Sequence, residues 1–130
     1  MASGVVQTEA KALLEASMGV TPYTAAATPK VALMTATGNG SSGGTEVTGG
    51  SYARVALGAG SATTAVPSVI ANASAISFTG MPSATVTGIA IFDTTTSTRR
   101  LWWGDLTGTS KVVGAGDTLS FAIGAITISL

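Results

Sequence analysis

Cysteine and histidine are both absent from this 130-residue sequence. Without cysteine there is neither a disulfide framework nor an activated thiol, so stability has to come from packing or assembly. Without histidine the chain lacks the usual general base at neutral pH and the commonest metal ligand. Ser-His-Asp and Cys-His chemistries are therefore excluded, and no metal or cofactor site is expected. Charge is scarce too: Asp, Glu, Lys and Arg make up 9% of the residues, against about 25% in an ordinary soluble domain. Six cations and six anions cancel, and no charged residue lies between Arg54 and Asp93. Scattered cations do not make the basic patch that binding to a phosphate backbone requires, so nucleic acid is not an expected partner. The one adjacent basic pair, Arg99-Arg100, reads as two solvated strand ends. No apolar run approaches the roughly 18 residues of a membrane span. The N-terminus lacks the basic and apolar regions of a secretory signal, so the chain is expected to be made in the cytoplasm and used without export. In that setting the glycosylation pattern Asn72-Ala73-Ser74 is a chance match.

The length suits one domain, read as a helical segment over 1–19 followed by a β domain over 30–130. From Val5 to Met18, apolar residues at Val6, Ala10, Leu13, Leu14 and Met18 recur near the helical period. Ser3 is placed to cap the helix start and Gly19 to stop it. Beyond the connector Tyr23 to Pro29 the pattern changes to strands: Lys30 to Ala36, Tyr52 to Leu57, Ala75 to Phe78, Thr85 to Asp93, Arg99 to Leu106, Asp117 to Ile123 and Ile126 to Leu130. Gly-, Ser- and Thr-rich segments separate them, as in an antiparallel β-sandwich or a jelly-roll-like barrel, mainly β with one short N-terminal helix. The last two strands suggest a hairpin turning at Gly124-Ala125, with Ile123 facing Ile126, Phe121 facing Ile128 and Leu119 facing Leu130 on one core face.

Candidate chemistry is thin. Gly38-Asn39-Gly40-Ser41-Ser42-Gly43 fits the G-x-G-x-x-G pattern, but a phosphate cradle needs a helix directly after the glycines. Thr45 to Gly50 offers none, so the match reads as a flexible loop. The carboxylates are Glu9, Glu15, Glu46, Asp93, Asp105 and Asp117. Asp93 and Asp117 fall at strand edges, where turn capping explains them better than a glycosidase pair. No motif supports a Ser-Lys dyad through Lys30 or Lys111. In Trp102-Trp103, strand alternation sends the two rings to opposite faces. By parity Trp103 goes with Leu101 and Trp102 with Leu106, so one ring is available as an interface anchor.

The stretch Gly43-Gly44-Thr45-Glu46-Val47-Thr48-Gly49-Gly50-Ser51-Tyr52-Ala53-Arg54-Val55-Ala56 resembles a signature of small tailed-phage virion structural proteins. Gly88-Ile89-Ala90-Ile91-Phe92-Asp93 is similar to the same family. So is the tail from Trp103-Gly104-Asp105-Leu106 through Gly116-Asp117-Thr118-Leu119-Ser120-Phe121. Only Ser61 to Ala73 departs from the pattern. Family members often carry a tail-fibre label, yet the sequence has no heptads, collagen triplets or β-repeat for a shaft. What the resemblance implies is a non-enzymatic capsid decoration, or cement, protein on the virion surface. Its partners would be the major capsid protein or other virion proteins, and its own copies, as a trimer. The alternative is a tail or tail-fibre structural or receptor-binding component. The interface candidates are Leu13, Leu14 and Met18 on the helix, Tyr52 and Arg54 in the signature, and Trp102 and Trp103. The helix and the loop from Gly38 to Gly50 are the expected assembly elements, the loop carrying too many glycines to hold one shape alone.

A chain of zero net charge and few charged residues is prone to associate. Light scattering on the purified protein at micromolar concentration is expected to show oligomers, a trimer first. A well-behaved monomer in dilute buffer removes this compositional argument.

Overall fold

The computed structural model describes residues 3–94 and 98–129. In chain order the elements are β1 (Ser3–Val5), α1 (Gln7–Ser17), β2 (Lys30–Ala36), β3 (Thr45–Glu46), β4 (Val55–Ala56), β5 (Val69–Ala71), β6 (Ile76–Phe78), β7 (Ala84–Val86), β8 (Gly88–Phe92), β9 (Arg100–Asp105), β10 (Lys111–Val113), β11 (Leu119–Phe121) and β12 (Thr127–Ser129). β2 matches its sequence expectation residue for residue. A six-stranded sheet runs β1-β9-β8-β2-β3, with β4 also on the outer edge of β2. Residues Val31 to Met34 are all buried, because alternate side chains serve opposite faces. Val31 and Leu33 join Ile91 and Leu101 in the main core, while Ala32 and Met34 meet Ala90 and Phe92 on the other side.

The second layer comes from one long antiparallel ribbon. β5, β6 and β7 pair with β12, β11 and β10, and the ribbon continues as β8 with β9. Its register is unbroken from Ile76↔Phe121 to Val86↔Lys111, ten residues along each strand, although 79–83 and 114–118 loop out between the ladders. Between Val86↔Lys111 and Gly88↔Asp105 the single residue Thr87 opposes five, 106–110. The anticipated strand Thr85 to Asp93 is broken there, and Thr87 N–H donates instead to Met34 O of β2. Folding the far half of the ribbon over the sheet brings Ile76, Phe78, Val86, Val113, Leu119 and Ile126 onto Val31, Leu33 and Ile91. The result is mainly β, a two-layer sandwich and not a closed barrel. β1, β3, β5 and β10 were not anticipated, since two or three residues in Gly/Ser/Thr-rich sequence carry too little periodicity to register.

Two local expectations are corrected. Ser3 lies in β1, so it does not cap the helix; Val6 occupies the cap position without a side-chain cap. The exposed donors at the helix start are met from outside, Val6 N–H by Leu101 O and Gln7 N–H by Gly40 O. Gly19 does end the helix, at φ +72°, with its N–H on Ala16 O and Val20 N–H on Glu15 O. This is the paired bonding of a Schellman motif.

The C-terminal hairpin does not form. β11 takes β6 as its partner and β12 takes β5, so Phe121 stands opposite Ile76, and Ile128 opposite Ile70. Ile123 is 69% exposed, Leu119 and Ile126 are buried, and Leu130 lies outside the described residues. The turn is instead wrapped around Asn72, which is 1% exposed. Its Nδ2 donates to Ser74 O and Ala122 O, and its Oδ1 accepts from Ile126 N–H. Its backbone adds bonds to Ile126 O and from Gly124 N–H. The buried amide thereby supplies the polar partners that a direct strand pairing would have supplied, and it is no glycan acceptor.

Asn72→Ala strands the buried Ile126 N–H and removes the bonds to Ser74 O and Ala122 O, at about 1–3 kcal/mol for a buried group left unsatisfied. A urea midpoint shift worth about 3 kcal/mol is expected, whereas Ile123→Ala stays within about 0.5 kcal/mol as a surface change. A large loss for Ile123→Ala restores the hairpin register.

Candidate functional site

With so few charges available, each one has a legible position. Glu46 at the end of β3 accepts a two-pronged pair from Arg54, with Oε2 to Nε at 2.9 Å and Oε1 to Nη2 at 2.8 Å. Tyr52 Oη donates to Glu46 Oε2 at 2.7 Å and accepts from the Leu33 N–H of β2 at 2.9 Å. The Tyr52 ring stacks on Phe78 at 6.0 Å, and the Arg54 guanidinium lies 3.7 Å from the Phe92 ring centroid while donating to Thr94 O. Burial works to raise the Glu46 carboxyl, and the bonds from Arg54 and Tyr52 outweigh it, so its pKa falls below the ordinary carboxylate value. Burial first, and Glu46 second, push the Tyr52 phenol far up.

The same three residue types recur at the helix. Glu9 Oε1 accepts from Arg99 Nε at 2.8 Å, and Oε2 accepts from Arg99 Nη2 at 3.0 Å and from Tyr23 Oη at 2.7 Å. Arg99 holds Glu9 below its usual range against the opposing effect of burial, with Tyr23 adding to the lowering. Asp117 Oδ2 accepts the Gly114 N–H, the turn-capping role expected of it, whereas Asp93 is corrected: its Oδ1 accepts the Ala27 N–H of the distant connector and its Oδ2 takes Arg99 Nη1 at 3.5 Å. Arg99 and Arg100 are corrected: neither is a solvated strand end. Arg100 is 8% exposed, its Nη2 donates to Asn39 O and Ser42 O, and burial lowers its pKa. Those two carbonyls belong to the loop read as flexible. Asn39 Oδ1 also gathers the N–H groups of Ser41 and Ser42, so the loop holds one shape through contacts within its own chain.

The interface candidates separate. Along α1 the inward stripe is Val6, Glu9, Ala10 and Leu13, while Gln7, Lys11, Leu14 and Met18 form an exposed stripe on the other side. Leu14 is 66% exposed, Met18 70% and Val20, just past the helix, 69%. The apolar face read from the sequence is thus split, because Arg99 and Tyr23 draw Glu9 inward. Tyr52 and Arg54 are half-buried, with their polar ends bonded inside the chain. Trp102 and Trp103 are both half-buried. Of the parity argument, Trp102 with Leu106 holds, both packing on the main core, while Trp103 with Leu101 is corrected by a bulge: Ile91 faces Trp102 and Phe92 faces Arg100, leaving Leu101 as the extra residue. Leu101 and Trp102 therefore both meet the main core, and Trp103 lies against Gly4 of β1, its indole Nε1 buried without a hydrogen-bond partner among the described residues. Sequence reasoning missed the Glu46–Tyr52–Arg54 unit, although all three sit within the fourteen residues of the signature. Two of its glycines are required: a Cβ on Gly44 would strike Ala36 O, and one on Gly50 would strike Gly80 O.

These features define a small antiparallel β-sandwich stapled by two Glu–Tyr–Arg units. Residues 4–129 match the family described as podophage GP4 fiber I protein gp80. The chain belongs to that family, and with it to the structural proteins of phage virions. No curated protein matches the chain.

Glu46→Gln leaves Arg54 half-buried and uncompensated, and is expected to cost about 2–3 kcal/mol, below the 3–5 of a fully buried pair. Both glutamates have lowered pKa values in the folded state, so the stability they contribute is present above the unfolded value of 4.5 and is lost as pH falls through the folded values. Both tyrosines are raised, so their contribution is lost as pH climbs past 10.0. Denaturant midpoints against pH should give a plateau between these limits, with an acid limb that is shallower in Glu46→Gln. An unchanged acid limb in that variant removes the unit's role.

Proposed function

We propose that this chain is a non-enzymatic structural subunit of the phage tail fibre, acting by packing against its own copies and neighbouring virion proteins. The observation that carries this reading is the fibre family's match over residues 4–129. It turns the preference from capsid decoration, which the sequence favoured, to the fibre alternative. The side-chain chemistry supports a structural role. Glu9 and Glu46 are tied to arginine and tyrosine, Asp93 and Asp117 accept backbone N–H groups, and Glu15 pairs with Lys11, so these carboxylates have structural partners. The exposed stripe of Leu14, Met18 and Val20 supports an assembly role: it is apolar, and its charged neighbours Lys11 and Glu15 pair with each other at 2.6 Å. A face of this kind offers apolar area to a second copy without like-charge repulsion. A trimer is the expected assembly.

Electron cryomicroscopy of virions carrying a labelled copy is expected to place it at the tail, and the variant Leu14→Gln/Met18→Gln to fold with ordinary stability yet form fewer oligomers and enter virions poorly. Label spread over the capsid lattice returns the decoration reading. Normal assembly of the double variant moves the interface off the helix.

A further inference from the structure

The two layers of the sandwich do not close along one side. A cleft of about 920 Å³ opens there between the sheet and the returning strands β11 and β12. Its inner wall is core, with Ile91, Leu119 and Ile126 buried. Further out, Trp102, Leu106, Phe121 and Ile128 pack against that core but are only half-buried, so apolar and aromatic surface faces the opening. The lips are different in kind. One is the loop 106–110 that Thr87 leaves unpaired, with exposed Thr107 and Thr109, flanked by Asp105 and Lys111; the other carries Thr127 and Ser129.

We infer that this cleft binds a neutral saccharide. A pyranose has an apolar face of C–H groups and an edge of hydroxyls that donate and accept. An aromatic side chain suits the first, and short hydroxyl side chains with one carboxylate and one ammonium suit the second. One Asp and one Lys leave the lining with no net charge, which disfavours phosphates and acidic polymers that need concentrated positive charge. A purely apolar ligand would leave that polar rim unpaired on closing over it. The volume is in the upper part of the roughly 300–1,000 Å³ range of ligand sites, room for more than one sugar ring. The cleft reaches from β11 and β12 across β9 to Ser3 and Gly4 of β1, and no residue of the helix stripe lines it, so this inference does not rest on the assembly role.

The full-length protein is tested on an array of neutral and acidic oligosaccharides, and the best neutral binder is then titrated while tryptophan fluorescence is followed. Binding of neutral glycans is expected, with a saturable change in emission. Trp102→Ala and Asp105→Asn should each weaken it about tenfold. Because Trp102 also supports the core, the exposed lip variants Thr109→Val and Lys111→Gln provide a second measurement that does not threaten folding, and weakening is expected in both. No binding by any neutral glycan at millimolar concentration overturns the inference, as does binding of acidic glycans alone or binding that none of the lip variants changes. Tryptophan emission that shifts on dilution, with no response to glycans, overturns it in favour of a second copy filling the cleft.

Discussion

Strand β2 is covered on both faces and paired on both edges, but its outer edge is shared by two short strands that do not meet. β3 takes the far end and β4 the near end. Between them the Leu33 carbonyl accepts from Val47 N–H, while the Leu33 N–H has only the Tyr52 hydroxyl to take it. That hydroxyl can accept from Leu33 because its own proton goes to Glu46, and Glu46 stays ionised in a half-buried place because Arg54 grips both its oxygens. The chain must pass from β3 to β4 through the turn at Gly49 and Gly50 to make this arrangement. A break in the edge of the central strand would admit water to the middle of the sheet, so the rest of the sandwich depends on this seam.

The Glu9–Tyr23–Arg99 unit performs a comparable task at the tip of the ribbon, joining the helix and the connector before β2 to the start of β9. Together the two units take two of the six anions and two of the six cations into the structure. The low charge content is therefore not simply a surface property. Arginines and glutamates that would solvate an ordinary domain are turned inward as staples, and the exterior is left to Ser, Thr, Gly and Ala with an apolar stripe on the helix. In a chain without disulfides, partly buried charge-assisted bonds of this geometry give directionality that short strands lack.

For a fibre-family virion protein this division of labour is physically coherent. The parts that hold the fold are polar and internal, and the outward features, the helix stripe and the cleft beside loop 106–110, are distinct from them. The loop 38–44, which has the composition of a linker, belongs with the internal parts: Arg100 and Asn39 lock it against the start of the helix. The N-terminal segment is equally integral, since β1 is an edge strand of the main sheet and Glu9 half of a staple.

The sequence by itself determined the fold class, the position of β2, the helix and its stop at Gly19, the capping role of Asp117, and that no helix follows the G-x-G-x-x-G loop. All of these rest on interactions within a few residues or on a periodicity that a single element displays. Only the tertiary structure decided the pairing of β11 and β12, because alternation tells which residues share a face and not which strand lies beside them; Ile76 and Ile70 are as acceptable to Phe121 and Ile128 as those two are to each other. It alone placed Trp102 with Leu101, since one bulged residue reverses the parity of everything before it. It alone showed the two staples, whose members lie up to 90 positions apart in the chain. A charge reveals its partner only when the backbone has brought the two together, and that approach is set by the whole fold.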